Sequence, residues 1–333
     1  MTQSTMRAAV APQHEIALQI QNLPLPVPVA GQVLVKVIAS GVNPLDTKIS
    51  AGKGAHARQP LPAVLGMDLA GIVEAVGDGV TAFKIGDEVY GMAGGIGGQQ
   101  GSLAQYMAVD ADFLARKPSN WSMREAAALP LIFITAWEGL VDRANVRAGQ
   151  KVLVQGGAGG VGHIAIQIAK AYGAEVFATG SAASSKVISS FGATPIDYRS
   201  ETPAEYMARH TSNEGFDIVY DTAGGTSLDA SFTVTRLYTG HVVSCLGWGE
   251  HKLAPLSFRG ATYSGVFTLL PLLTGKGRKH HGEILEQATR LAEAGALRVL
   301  LDERHFTLDS VNDAYSAIVD GNNTGKIVVD VQD

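Results

Sequence analysis

A short glycine-rich turn carries the clearest chemical signal in this chain. Gly157, Gly159 and Gly162 follow the spacing G-x-G-x-x-G. The turn comes directly after an apolar run at 151–155 and opens a segment, 161–172, whose apolar residues recur at helical spacing. Glycine lets the backbone approach a diphosphate, and the N–H groups at the start of a helix bind its negative charge. We therefore predict a dinucleotide site, with a glycine-rich loop that binds nothing as the alternative. The predicted contacts are Gly157, Ala158, Gly159, Gly160 and Val161.

The end of the next predicted strand indicates which dinucleotide this would be. Dehydrogenases that prefer NAD usually carry an acidic residue about 20 residues after the glycines, where it binds the ribose 2′-hydroxyl. Here the segment 177–181 has no carboxylate and ends in Ser181. Lys186 lies on the next predicted helix, and Tyr198 follows the strand after it. A hydroxyl, an ammonium and a phenol can together hold a phosphate, so we predict NADPH. The alternative is that Lys186 only solvates a helix face.

The elements around the turn must place it at the edge of a sheet. Strand-like runs at 151–155, 175–179, 194–196, 216–220 and 241–246 alternate with helix-like segments at 161–172, 184–191, 203–210 and 227–237. This order predicts an α/β fold, with a Rossmann doubly wound parallel sheet over residues 125–266. Ala223, Leu246 and Gly247 follow two of these strands, at the ends where ligands bind in open α/β sheets.

The segments on either side have a different pattern. Residues 1–124 hold short β-type runs separated by glycine turns, which is typical of a small, partly closed barrel. Residues 267–333 hold a predicted helix at 283–294 and short strands at 306–308 and 327–329, so the parallel alternation ends there. We expect residues 267–333 to return to the first domain, which makes that β-rich domain discontinuous.

Composition excludes several classes of protein. The chain has 333 residues, a net charge of −5 and a single cysteine, Cys245, so it can form neither an intrachain disulfide nor a cysteine zinc site. The chain has no overall excess of basic residues, so its composition does not indicate a nucleic-acid partner. We find no signal peptide at the N-terminus, and the apolar segment 263–273 is too short to span a membrane, so we expect a cytoplasmic protein. One basic cluster, 276–281, is predicted to be a solvated loop.

The motifs together resemble the quinone oxidoreductase branch of the medium-chain dehydrogenase/reductase superfamily. The resemblance covers nearly the whole chain and is most specific at residues 149–170, which include the glycine turn, Gln167 and Lys170. Segments 62–91, 41–46 and 135–137 are also similar to this branch. The resemblance implies a GroES-like catalytic domain, a Rossmann domain, NADPH, hydride transfer to quinones or α,β-unsaturated carbonyls, and a homodimer. The segment 263–270 could be an edge strand that pairs across the two-fold axis.

Departures from the zinc-dependent alcohol dehydrogenases point to a site without metal. Asn43 stands where those enzymes carry a zinc-binding cysteine, and Gly66-Met67-Asp68 stands where they carry Gly-His-Glu. Asparagine and methionine are poor zinc ligands. Without a Lewis acid, a substrate must supply its own electron sink, as a quinone or an enone does. Hydrogen-bond donors near the conjugated oxygen can then stabilise the negative charge.

The resemblance also suggests residues that contact cofactor and substrate. Asn43 matches a position near the nicotinamide, with a turn residue before Pro44 as the alternative. Lys48 lies where relatives often place a tyrosine, and it could donate to the oxyanion or point into solvent. Thr135 matches a cofactor-contacting position at the start of a helix, where it could also be an N-cap. Phe267 and Trp248 are candidate pocket walls, with core packing as the alternative.

Two other functions stay open on the sequence alone. An enoyl-thioester reductase would use the same hydride chemistry on a longer substrate. An NADPH-binding protein with a structural or RNA-binding role would use the basic cluster 276–281, which is its only support in the sequence.

Overall fold

A computed structural model describes residues 4–332 and divides into two compact units. Unit 1 comprises the described residues up to Leu131, together with Leu269–Gly295 and the chain from Val299 onward. Unit 2 comprises Ile132–Thr268 and Ala296–Arg298. Residues 1–3 and 333, the outer ends of the two predicted catalytic segments, lie outside the described residues.

Sixteen strands are numbered in chain order within residues 4–332. They are β1 (Thr5–Ala11), β2 (Gln19–Pro24), β3 (Gln32–Gly41), β4 (Ala63–Val64), β5 (Asp68–Val76), β6 (Glu88–Met92), β7 (Tyr106–Asp110), β8 (Leu114–Arg116), β9 (Lys151–Gln155), β10 (Glu175–Gly180), β11 (Thr194–Asp197), β12 (Ile218–Asp221), β13 (His241–Ser244), β14 (Thr262–Gly265), β15 (Phe306–Thr307) and β16 (Val328–Asp330).

The α-helices follow the same order. They are α1 (Pro44–Ser50), α2 (Met123–Ala128), α3 (Pro130–Trp137), α4 (Gly160–Ala171), α5 (Ser185–Ser190), α6 (Pro203–Thr211), α7 (Thr226–Val234), α8 (Ala254–Phe258), α9 (Leu270–Thr274), α10 (Arg278–Glu293) and α11 (Val311–Val319). A π-helical turn, Glu138–Arg143, continues directly from α3.

Unit 2 contains a parallel sheet with the order β11-β10-β9-β12-β13-β14. This is the doubly wound order 3-2-1-4-5-6, in which the strand order reverses beside the first strand, β9. Short apolar strands such as β12 are buried throughout because helices cover both faces of a parallel sheet. Its core includes Leu153, Phe177, Val219 and Phe232. The predicted Rossmann sheet is confirmed.

Unit 1 contains two sheets, which are antiparallel except for the parallel pair β15 and β16. One sheet has the order β2-β1-β4, and the other runs β15-β16-β3-β5-β6-β8, with β7 also paired to β3. Strand β16 comes from the C-terminal segment and pairs with β3 from the N-terminal segment, so the β-rich unit is discontinuous. The unit continues to Leu131 rather than ending at 124, because α2 packs on β3 and β5.

Three local predictions need correction. Thr135 lies inside α3 rather than at the start of a helix, so the N-cap alternative is wrong. The basic cluster 276–281 is only partly a loop, because α10 begins at Arg278 and His281 is fully buried. Helix α10 therefore starts at Arg278 rather than at the predicted residue 283. The run of charged residues had favoured a loop there. The edge strand predicted at 263–270 is shorter, since β14 ends at Gly265.

Candidate active site

The glycine turn lies at the carboxyl end of β9 and leads into α4. Gly156 has a φ of +79°, a left-handed conformation that favours glycine. A Cβ on Gly162 would lie 2.1 Å from the Gly156 carbonyl oxygen, so the first turn of α4 can pack against the loop only without a side chain. Gly157 to Gly159 form the loop, and Gly160 and Val161 begin the helix. The N–H groups of a first helical turn have no partners within the helix, so this turn fits a diphosphate.

Polar side chains at three strand ends hold the turn in place. The Thr179 hydroxyl donates to Gln155 Oε1 at 2.7 Å and accepts from the Gly156 N–H at 3.1 Å. The Thr222 hydroxyl donates to the Gln155 carbonyl at 2.6 Å. Both Gln155 and Thr179 are buried. These residues were not predicted from the sequence, although their positions at the ends of β9, β10 and β12 could have indicated them.

The residues predicted to recognise a 2′-phosphate lie at the tips of β10 and β11. These strands pair in parallel with Gly180 beside Asp197, and the Tyr198 N–H donates to the Gly180 carbonyl at 3.3 Å. Ser181 and Tyr198 therefore follow neighbouring positions on the same edge. The Tyr198 side chain is half exposed, and Lys186 is exposed on α5. The structure thus brings Ser181 and Tyr198 together, with a cation on the adjoining helix.

A pocket of about 330 Å³ opens at the carboxyl ends of β13 and β14. This volume lies within the range of small-ligand sites. The rings of Trp248 and Phe267 lie edge to face, with centroids 6.1 Å apart. The pocket is lined by Ser244, Cys245, Gly247, Trp248, Tyr263, Gly265, Val266 and Phe267. Trp248 and Phe267 are therefore pocket walls, and a Cβ on Gly247 would lie 2.3 Å from the Tyr263 hydroxyl.

The loops after β12 and β13 are fixed by one buried carboxylate. Asp221 accepts from the Gly224 N–H at 3.1 Å and from the Ser244 hydroxyl at 2.8 Å. A Cβ on Gly224 would lie 2.8 Å from the Leu246 carbonyl oxygen, so the loops that carry Ala223 and Leu246 are in contact. Burial raises the pKa of the Cys245 thiol to about 12, with a further contribution from Asp221. The thiol is therefore protonated and poorly reactive towards electrophiles.

Unit 1 holds a separate, buried polar cluster: Asn43, Asp46, Asp68, Lys326 and Tyr315. Strand topology brings its members together, because Gly41 on β3 pairs with Asp68 on one side and with Val328 on the other. The Asn43 side-chain amide donates to Asp68 Oδ2 at 2.9 Å, and its oxygen accepts from the Lys326 ammonium. Asn43 is thus both the residue before α1 and part of this cluster. Lys326 and Tyr315 were not predicted from the sequence.

Three further residues, two in α1 and one in α3, have different surroundings. Asp46 accepts the Asn43 backbone N–H at 2.8 Å, which fixes the start of the helix. Lys48 is exposed on α1. Thr135 in α3 is buried, and its carbonyl accepts from the Tyr220 hydroxyl at 2.6 Å.

The chain matches two family profiles. Residues 29–119 match the alcohol dehydrogenase GroES-like domain, and residues 191–329 match the zinc-binding dehydrogenase family. Over 313 residues the chain is 31% identical to the quinone oxidoreductase of Homo sapiens, covering 92% of each chain. The chain belongs to the quinone oxidoreductase branch of the medium-chain dehydrogenase/reductase superfamily. It is accordingly a nicotinamide-dinucleotide-dependent oxidoreductase.

Other relatives of this branch are similar over most of the chain. The 2-methylene-furan-3-one reductase of Solanum lycopersicum is 38% identical, covering 90% of this chain and 71% of that protein. The NADPH-dependent alkenal/one oxidoreductase of Arabidopsis thaliana is 36% identical, covering 92% and 74%. Among solved structures, an alcohol dehydrogenase superfamily protein from Novosphingobium aromaticivorans is 55% identical with a TM-score of 0.97, covering 98% and 100%. The CurK enoyl reductase is 26% identical with a TM-score of 0.84, covering 99% and 100%.

One of the matching families is described as zinc-binding, but the polar cluster in unit 1 is a poor match for a zinc site. The Asn43 side-chain oxygen already accepts a hydrogen bond from the Lys326 ammonium. A divalent ion at that oxygen would meet a like charge. Met67, beside Asp68, is fully buried and offers only a thioether. Within residues 4–332, no group of three or more His, Cys, Asp or Glu is arranged to hold a metal ion. These residues do not fit a catalytic zinc.

The basic cluster forms ion pairs that the sequence did not predict. The guanidinium of Arg278 contacts Asp110, and the Lys279 ammonium lies 3.6 Å from Glu283. These pairs weaken the support for an RNA-binding role. Between residues 4 and 332, no helix is long and apolar enough to cross a membrane. The expected cytoplasmic location stays a prediction.

Proposed function

We propose that this chain is an NADPH-dependent reductase that transfers a hydride to an α,β-unsaturated carbonyl or a quinone without a catalytic metal. The observation that carries the choice of acceptor is the bond between the Lys326 ammonium and the Asn43 oxygen. With a fixed ammonium in that position, the site has no Lewis acid to activate an alcohol. A conjugated carbonyl needs none, because its own oxygen takes up the charge.

The nucleotide would be held by unit 2. The N–H groups around Gly159 and Gly160 would bind the diphosphate, with Val161 in the first helical turn. Ser181, Lys186 and Tyr198 would surround the 2′-phosphate, an interpretation that agrees with the NADPH named for the Arabidopsis thaliana relative. The pocket between Gly247 and Phe267 would take the nicotinamide. When bound, NADPH supplies the hydride.

Two residues of unit 1 would serve the substrate. We assign the Lys48 ammonium as the hydrogen-bond donor to the substrate oxygen that becomes negative, because this side chain is exposed. The carbon beside the carbonyl then takes a proton from water, which completes reduction of the double bond. Asn43, which lies in the buried cluster, would contact the substrate or the cofactor through its side-chain amide.

A screen of NADPH oxidation tests this proposal. Quinones, short enones and enoyl thioesters would be compared, each with and without a chelator, and NADPH and NADH affinities would be measured in parallel. We expect turnover on enones or quinones that the chelator leaves unchanged, and tighter binding of NADPH. Chelator-sensitive turnover would contradict the metal-free reaction, and equal affinities would contradict the 2′-phosphate site.

A second candidate is an enoyl-thioester reductase, which the fold likeness to the CurK enoyl reductase favours. Higher kcat/KM on crotonyl-CoA than on short enones would establish it in place of the first proposal. For the assembly, we propose a homodimer formed along β14, because this strand is the edge of the unit 2 sheet. Sedimentation equilibrium would show a monomer if this is wrong.

A further inference from the structure

A lysine ammonium lies inside unit 1, where an isolated charge would be unstable. Lys326 is 6% exposed, and its Nζ donates to the Val42 carbonyl at 3.0 Å and to the Asn43 side-chain oxygen. Burial lowers the pKa of Lys326, while Asp68 and Asp46 act in the opposite direction. A buried ammonium persists only where fixed negative charge and hydrogen-bond acceptors replace water. The surroundings of Lys326 supply both.

Two carboxylates provide that negative charge. Asp68 accepts from the Asn43 side-chain amide and, at 3.0 Å, from the Leu131 N–H, while Asp46 accepts from the Asn43 backbone N–H. Burial raises the pKa of Asp46 to about 7 and that of Asp68 to about 6, and Lys326 lowers both. The Tyr315 hydroxyl is the remaining titratable group beside Asp46. Lys326 is thus the cation that stabilises the ionised form of both acids.

The orientation of the Asn43 amide follows from the same charges. In the observed rotamer the amide oxygen meets the ammonium and the NH₂ group meets Asp68. A flipped amide would place its NH₂ group against the ammonium and its oxygen against the carboxylate, so both contacts would become repulsive. The Lys326–Asp68 pair therefore selects one of two otherwise equivalent orientations.

We propose that Lys326 is the resident cation of this site, which takes the place of a metal ion and acts as a positioning residue for Asn43. It compensates part of the negative charge of Asp46 and Asp68, keeps a divalent ion out by like charge, and fixes the amide. One N–H of the Asn43 amide is committed to Asp68, so the second N–H has a defined direction. The step from Asn43 to the reaction rests on the proposed function, whereas the charge balance does not.

A pair of variants separates charge compensation from simple packing. Lys326→Met keeps the side chain unbranched and nearly as long and removes its charge, and we expect its unfolding midpoint at pH 8 to fall by about 10 °C. Adding Asp46→Asn removes one of the two carboxylates that were left uncompensated. The double variant should recover at least half of the loss, and Asp46→Asn should stabilise the Lys326→Met chain more than it stabilises wild type. Lys84→Met, on an exposed lysine of unit 1, is the matched control and should leave the midpoint unchanged.

The outcome decides the proposal in either case. If Asp46→Asn stabilises the Lys326→Met chain no more than it stabilises wild type, the proposal is overturned; if it stabilises that chain more, the compensation is supported. One tightly bound zinc per wild-type chain after incubation with zinc and desalting would also overturn it.

For the positioning role, Asn43→Ala and Lys326→Met should lower kcat by similar factors that do not multiply when combined. If the kcat losses multiply while the unfolding midpoints still show coupling between Lys326 and Asp46, only the link to Asn43 is rejected. If wild type turns over no substrate, the proposed function is rejected instead.

Discussion

The glycine turn of unit 2 and the polar cluster of unit 1 are built on opposite principles. The turn is one continuous stretch, 156–162, and it works through backbone N–H groups and missing side chains. The cluster collects Asn43, Asp68 and Lys326 from three distant parts of the chain and works through their side-chain charges. A site made of backbone can be damaged by adding one carbon atom, whereas a site made of charges is damaged when its balance changes. Substitutions in the two regions should therefore fail in different ways.

The largest expected effect is at Gly162. A Cβ there would meet the Gly156 carbonyl oxygen at 2.1 Å, and backbone cannot move aside without opening the turn. We expect Gly162→Ala to weaken NADPH binding at least about 100-fold, which corresponds to roughly 2.8 kcal/mol. Fluorescence titration with NADPH measures the dissociation constant.

Gly159 provides a graded control within the same turn. Its Cβ would lie 3.2 Å from the same oxygen, and its φ of −73° suits any residue. Gly159→Ala should therefore weaken binding much less than Gly162→Ala. Equal losses at the two positions would show that close packing is not what the turn requires.

The next effect concerns the pH dependence of stability in unit 1. Burial raises the pKa of Asp46 to about 7 in the folded chain, well above its ordinary value of 3.8. The folded state therefore binds more protons than the unfolded state between these values, and stability falls as pH rises from about 4 to about 7. Asp46→Asn cannot ionise, so its stability relative to wild type should rise by about 2–4 kcal/mol over that interval.

Urea unfolding at pH 4.5, 6 and 8 measures this difference. At the lowest pH the two proteins should be close in stability, because Asp46 is then protonated and resembles the amide. A constant difference at all three values would contradict ionisation of Asp46 as the cause. Lys326 acts in the opposite sense: because folding lowers its pKa, the folded state binds fewer protons as this group titrates, and its contribution to stability rises with pH.

The sequence predicted the glycine turn well and the polar cluster poorly, because only the turn is made of residues adjacent in the chain. The glycine turn could be recognised because its strand, loop and helix are adjacent in the chain, and the order of the Rossmann strands followed from the βαβ alternation. Lys326 could not be recognised, because only the pairing of β16 with β3 brings it to Asn43. Likewise, nothing local indicated that Arg278 begins a helix, because the packing that buries His281 comes from Phe113 in a distant segment.

A smaller effect is expected where the nucleotide site uses a side-chain charge. Lys186 is exposed on α5, beside the tips that carry Ser181 and Tyr198. We expect Lys186→Ala to weaken NADPH binding about 5- to 10-fold and to leave NADH binding nearly unchanged, because only NADPH carries the 2′-phosphate. Arg147→Ala is the charge-matched control, since Arg147 is exposed before β9, at the opposite end of the strand from the turn. A similar loss for both nucleotides would mean that Lys186 acts on the diphosphate or on the fold.

The smallest effect tests whether every polar group of the cluster contributes. The Tyr315 hydroxyl is buried, and it has no hydrogen-bond partner among residues 4–332. A buried hydroxyl without a partner loses its hydration and gains nothing, so Tyr315→Phe should raise the free energy of unfolding by about 1 kcal/mol.

Tyr90 is the matched control in the same unit, because its buried hydroxyl donates to the Leu285 carbonyl at 2.7 Å. Tyr90→Phe should lower stability by about 1–2 kcal/mol, since it removes this buried hydrogen bond. Chemical unfolding of both variants at pH 7 decides the matter: a loss at Tyr315 as large as that at Tyr90 would show that this hydroxyl is hydrogen-bonded within the cluster, for example through a water molecule beside Asp46.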